Sequence, residues 1–167
     1  VAGNRTPLPD SSHFPRQAFV DGAFVDARSG ATFGCVSPVS GETLFDVAAC
    51  DAADVDDAVA IARRAFEAGT WARESPRSRR KVLLQLADLI ERDREDLALM
   101  ITLDMGKPIS EALGEVDGSA ACIRFFAEAV DKVYGEVGPT GPQAVTLVTR
   151  EAIGVVGAVV PWNYPIM

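Results

Sequence analysis

The sequence has a single histidine, three cysteines in no close spacing, and no uninterrupted apolar run long enough to cross a bilayer. Each shortage excludes something. A membrane-spanning helix needs about 20 consecutive apolar residues, and none are there. There is no basic stripe either: 24 acidic residues against 16 basic ones give a formal net charge of -8, which argues against a nucleic-acid partner. No HExxH and no histidine–cysteine cluster exists, so a zinc site is not expected. Cys35, Cys50 and Cys122 are odd in number and dispersed. They predict reduced interior thiols of a cytoplasmic protein, not a disulfide scaffold. The opening "VAGNRTPLPDSSHFPR" carries no signal-peptide pattern. The glycines of "GVVGAVV" lack the GxGxxG spacing of a dinucleotide loop.

What is present suffices for a folded core: 167 residues, 48% of them apolar. Residues 1–16, rich in Pro, Ser and polar residues, predict an extended arm. Residues 17–50 predict short antiparallel strands. Asp21-Gly22 between "AFV" and "AFV" is a hairpin signal, and Pro38 and Gly41 mark a second turn. Residues 51–135 read as helical. Asp51 caps a helix in which Val55, Val59, Ala62 and Phe66 recur at helical spacing, and Gly69 ends it. Ser75 caps a second helix with Pro76 at its first position and a buried stripe of Leu83, Leu86 and Ile90. The pattern breaks near Asp93 and resumes to Gly106.

The next helix is the longest. Its stripe runs Ile109, Leu113, Val116, Ala120, Ile123, Phe126, Val130 and Tyr134, with Gly135 as its stop. Gly114 and Gly118 inside it invite a close neighbour. Residues 136–151 return to strands, with "AVTLVT" alternating. Residues 152–167 open on "GVVGAVV", which does not alternate and therefore predicts a strand covered on both faces, as in a parallel sheet. Such a strand needs neighbours and helices above and below, and no other segment reads as one. The expectation is a truncated sheet, or the opening section of a longer chain, whose bare strand edges self-associate.

Ligands of open parallel sheets bind beyond the C-terminal ends of the strands, which is where "PWN" falls. The Asn163 side-chain amide is a possible donor to a developing oxyanion; the residues alone favour a helix N-cap before Tyr164 and Pro165. Trp162 fits a ligand groove or a core anchor equally. Asp104, before "MGKP", suits a hard or monovalent cation with backbone carbonyls, or more simply a solvated turn. Cys122 reads as a packing cysteine, Lys107 as a dipole or salt-bridge partner, and His13 has no partner by spacing.

"VSPVSGETL", "LDMGKPISEA" and above all "TREAIGVVGAVVPWNYPIM" resemble the N-terminal third of an aldehyde dehydrogenase, over residues 17–167. "LDMGKPI", "ACD" and "DKVYGEV" most resemble the branch that oxidises gamma-glutamyl-gamma-aminobutyraldehyde and related aminoaldehydes. The resemblance implies an α/β fold: helices, the start of a parallel nucleotide-binding sheet, and strands of a bridging sheet. It implies oxidation of an aldehyde to its acid with NAD, or NADP, through a cysteine thiohemiacetal. Asn163 matches the oxyanion-hole asparagine. Val160, Pro161 and Trp162 match the segment bordering NAD. Val36, by its backbone, and Asp104 resemble contributors to a monovalent cation site. Residues 145–151 resemble part of the bridging sheet that pairs subunits, as a homodimer or homotetramer. The family's nucleophilic cysteine and general-base glutamate lie beyond "PWNYPIM", so the 167-residue chain alone is expected to be inactive. The alternative reading is a non-catalytic helical interaction or structural module.

Overall fold

Asp21 and Gly22 both adopt positive φ, 53° and 79°, as a two-residue hairpin turn of right-handed strands requires. They join β1 (Ala18–Val20) to β2 (Ala23–Val25). The structure, a computed structural model, describes residues 11–167. Residues 1–10 of the expected arm lie outside the described residues. A second antiparallel ladder pairs β3 (Thr32–Val36) with β4 (Thr43–Ala48), with a register shift between Cys35 and Val36.

Four helices follow. In α1 (Ala52–Ala68) a capping box closes the first turn: the Asp51 carboxylate accepts from the Ala53 amide, and Asp54 accepts from the Asp51 amide at 2.9 Å. Gly69 ends it in the left-handed region. Ser75 caps α2 (Pro76–Arg92), accepting from the Ser78 amide. Asp93 separates α2 from α3 (Arg94–Met105), and Gly106 at φ 79° ends α3. The long α4 (Ile109–Ala129) packs against both α2 and α3. The core lies at that junction: Ala98 and Ile101 of α3 against Ala112 and Val116 of α4. Arg94 bridges to Asp117 through two hydrogen bonds, and Arg124 to Asp88 and Glu91. These exposed pairs join neighbouring helices, and the hydrogen bonds from Arg94 hold the Asp117 carboxyl below the usual aspartate range.

Several sequence expectations need correction. α4 ends at Ala129, not Gly135, and Phe126 and Tyr134 are exposed. Past Ala120 the face of α4 that meets α2 is carried by Ala127, Arg124 and Glu128, and Phe125 and Phe126 point away from it. In α2 the buried position is Ala87; Leu86 is exposed. No residue of α1 is fully buried, because it meets the β1–β2 hairpin edge and not the helical core. Of the three cysteines only Cys35 is interior; Cys50 and Cys122 are exposed. Cys122 follows the small buried residues Ser119 and Ala120 but points off their face. Gly118 does admit a neighbour, since a Cβ there would meet the Met167 Cε at 2.9 Å, whereas Gly114 faces open space.

β5 (Glu136–Gly138) and β6 (Thr146–Val148) form a third antiparallel ladder. Residues 151–160 enter no strand ladder among the described residues, and Ile153, Val156, Val159 and Val160 are exposed. A strand exists only where another backbone supplies its hydrogen bonds; what lies against this run at Gly154 is the Arg63 side chain, and no strand of residues 11–150 pairs with it.

The capping box yields a pH prediction. The Asp54 carboxyl is held below its ordinary value of 3.8 by the Asp51 amide first and the Arg28 amide second. A depressed folded pKa contributes stability that is present above the ordinary value and disappears as pH falls through the folded one. The first turn of α1 is therefore expected to stay intact down to about pH 4 and to loosen below it. An NMR titration following the Asp51 and Arg28 amides checks this; a shared midpoint above the ordinary aspartate value would contradict it.

Candidate functional site

Between α3 and α4 the chain turns through Gly106-Lys107-Pro108. Gly106 takes the left-handed conformation and Pro108, at φ -54°, precedes the first residue of α4. This corner tucks Lys107 inward, where it is only 8% exposed. One turn and a half along α4, Glu115 is 3% exposed. The Lys107 ammonium donates to the Glu115 carboxylate. It also donates to the main-chain oxygen of Asn163 at 2.8 Å, and its nitrogen lies 4.1 Å from the centre of the Tyr164 ring. An ammonium has three protons to place, and these three partners take the two polar and one π-face directions. On the other side, the Ile166 amide donates to the remaining Glu115 oxygen at 3.4 Å. Burial of two charges is costly in isolation; mutual pairing and these added hydrogen bonds offset it.

The C-terminal run is thus seated on the α3–α4 corner. Ile166 packs against the core residues of α3 and α4. The Tyr164 amide bonds back to the Pro161 oxygen at 3.3 Å, closing a turn. Residues 162–165 form turn and bend, so no helix begins at Tyr164 here for Asn163 to cap. The Asn163 carbonyl is held by Lys107 while the residue itself is exposed. Its side-chain amide has no hydrogen-bond partner among the described residues. Trp162 is 77% exposed and Val160 58%, so neither is a core anchor within this chain.

Val36 and Asp104 come together as well. The end of β3 lies beside the end of α3, and both residues line an apolar groove of about 570 Å³ with Cys35, Leu103 and Ile166. The Cys35 thiol donates to the Asp104 carboxylate at 3.4 Å. Burial first, and then the adjacent carboxylate, push that thiol up from its usual value. A thiol held protonated is a poor nucleophile, which removes Cys35 as a catalytic candidate. No group of three or more His, Cys, Asp or Glu able to hold a metal occurs among the described residues. His13, read as partnerless, lies 3.3 Å from Asp96.

Sequence reasoning singled out Asn163 and gave Lys107 a salt-bridge role, but missed Glu115 and the link among the three. The signal was available. Ala112, Glu115, Val116, Ser119 and Ala120 follow one face of α4, and a carboxylate on an otherwise small and apolar face requires a cation.

Residues 24–167 match the aldehyde dehydrogenase family, and the chain belongs to it. Its α/β arrangement of N-terminal helices and short sheet segments is the start of that fold. It is 48% identical over 154 residues to the aminoacetaldehyde dehydrogenase of Pseudomonas aeruginosa, covering 92% of this chain and 31% of the relative. A solved gamma-glutamyl-gamma-aminobutyraldehyde dehydrogenase from Burkholderia cenocepacia superposes with a TM-score of 0.88 at 54% identity, covering 91% of this chain and 31% of that one. A variant of the P. syringae indole-3-acetaldehyde dehydrogenase AldA, in complex with NAD+ and IAA, gives 0.88 at 49% identity, with the same coverages of 91% and 31%. The chain therefore spans just under a third of these proteins. No helix is long and apolar enough to cross a membrane among the described residues.

Proposed function

We propose that this chain is a segment of a cytoplasmic, NAD(P)-dependent aldehyde dehydrogenase that oxidises an aldehyde, specifically an aminoaldehyde, to its carboxylic acid. One observation carries the assignment: Asn163 is anchored by its main chain to a buried ion pair while its side-chain amide is left unpartnered. An exposed amide on a fixed backbone is what an oxyanion donor needs, because its dipole is oriented before charge develops. In the proposed reaction a cysteine outside these residues attacks the aldehyde carbon. The carbonyl π electrons move onto oxygen, and the Asn163 N–H donates to that oxyanion. Cys35 does not suit the nucleophile's role: it is buried, and burial and the Asp104 carboxylate push its thiol up.

The cofactor, when bound, accepts the hydride released from the aldehyde carbon. The residues proposed to border it fit a flat ring with polar edges. Val160 and Trp162 offer uncovered apolar faces, and Pro161 lies between them in a fixed turn. Val36 and Asp104 are proposed to help hold a monovalent cation, the former through its backbone. The exposed β5–β6 hairpin, which carries Val137, Val145 and Leu147 on its surface, is proposed to pair subunits into a homodimer or homotetramer. Aminoaldehyde preference is supported by the names of two relatives, aminoacetaldehyde and gamma-glutamyl-gamma-aminobutyraldehyde dehydrogenase.

The test is a panel of aldehydes assayed with NAD and NADP on the full-length protein, beside the 167-residue chain alone. Reduced cofactor is expected from the full-length protein, fastest with aminoaldehydes, and none from the chain alone. No turnover of any aldehyde by the full-length protein would overturn the assignment, and steady turnover by the chain alone would overturn the placing of the nucleophile outside it. Light scattering that gives a monomer mass would count against subunit pairing.

A further inference from the structure

We infer that the buried Lys107–Glu115 pair is a positioning device for Asn163. It clamps the main chain at Asn163 itself and three residues later, fixing where the side-chain amide can reach. This inference rests on the oxyanion role proposed for Asn163.

The geometry is specific to that purpose. Lys107 Nζ holds the Asn163 oxygen at 2.8 Å, and the Tyr164 ring lies over the same nitrogen. Glu115 takes the Ile166 amide with the oxygen that Lys107 does not use. One ion pair therefore grips both ends of the four-residue stretch 163–166. The pair in turn stands on rigid elements: Glu115 is inside α4, and Lys107 is fixed between a left-handed glycine and a proline.

Stability alone does not account for it. A buried ion pair is commonly no more stabilising than apolar residues of the same volume, and the surrounding face is already small and apolar. An apolar pair would fill the space but has no proton for the Asn163 oxygen and no acceptor for the Ile166 amide. Residues 151–160 enter no ladder among the described residues, and the grip on 163–166 comes from this corner and from Ile166 in the core.

The test uses the full-length enzyme and the double variant Lys107→Met/Glu115→Leu, which leaves neither charge unpaired. Misplacement of a donor by an ångström costs up to about a hundredfold, so kcat is expected to fall roughly tenfold to a hundredfold. KM for the aldehyde and Kd for NAD should move less than about twofold, because a positioning loss is felt in the transition state and not in ground-state binding. In an Asn163→Ala background the same two substitutions should change kcat by less than about twofold, since the donor they position is gone. Tyr164→Leu keeps the ion pair and removes only the ring. It should lower kcat modestly, with the same dependence on Asn163, and it serves if the double variant does not fold. Unchanged kcat in the charge-free or Tyr164 variant, beside a slow Asn163→Ala enzyme, overturns this inference alone. Equal losses with and without Asn163 do the same. Wild-type kcat in Asn163→Ala overturns the oxyanion assignment, and this inference with it.

Discussion

Replacing Asn163 with alanine in the full-length enzyme is expected to lower kcat roughly a hundredfold to a thousandfold, the usual cost of removing one oxyanion donor. KM should change little. In the proposed role the amide would meet substantial charge only once the carbonyl oxygen has become an oxyanion, and so would favour the transition state over the bound aldehyde. The substitution is mild structurally: Asn163 is exposed, and its hydrogen bond to Lys107 runs through its main-chain oxygen, which alanine retains. Thermal unfolding should therefore be nearly unchanged. Asn163→Asp makes the sharper comparison, since a carboxylate in that place repels the oxyanion and should be slower than alanine. Steady-state kinetics of the three enzymes decides it, and equal kcat values would leave Asn163 without a catalytic role.

The second large effect is on stability. Glu115→Ala leaves the Lys107 ammonium buried with its anionic partner gone, a change that costs about 3–5 kcal/mol when the pair is well sequestered. That is a large share of a typical domain's stability. Lys107→Met is expected to cost a similar amount by stranding the carboxylate. The double variant Lys107→Met/Glu115→Leu should recover most of the loss, because the desolvated charges go together. Denaturant unfolding of the full-length enzyme gives the three values. If the single changes were nearly silent, the corner would be wet and the pair a surface one, contrary to the burial of both side chains.

The two results together separate holding the fold from aiming the amide. Glu115→Ala is predicted to hurt both stability and turnover. The charge-free double variant is predicted to hurt turnover while stability returns. Asn163→Ala is predicted to hurt turnover only.

Much of the local structure was legible beforehand because its causes are local. Asp21-Gly22 specifies its own turn. Asp51, Asp54 and Ser75 accept from free amides at the starts of their own helices, and Pro76 has no amide to satisfy. Gly69 and Gly106 stop helices by adopting a conformation other residues avoid. Asn163 could be singled out because "PWN" follows a run suited to a covered strand. Long stripes were less reliable. Phe126, Tyr134, Leu86 and Val59 recur at helical spacing yet are exposed, since periodicity says which face is apolar but not whether another element covers it.

By itself the sequence determined the hairpin turns, the starts and glycine stops of the earlier helices, the net acidic charge, and the blocks that carry the family likeness, "PWNYP" above all. Only the tertiary structure decided that Lys107, Glu115 and Asn163 form one unit, that Cys35 and not Cys122 is interior, and that Asp104 meets the end of β3. The reason is range. A cap or a turn is settled by atoms a few residues apart, whereas Lys107 and Asn163 are 56 positions apart and meet only because α3, α4 and the final turn fold onto one corner.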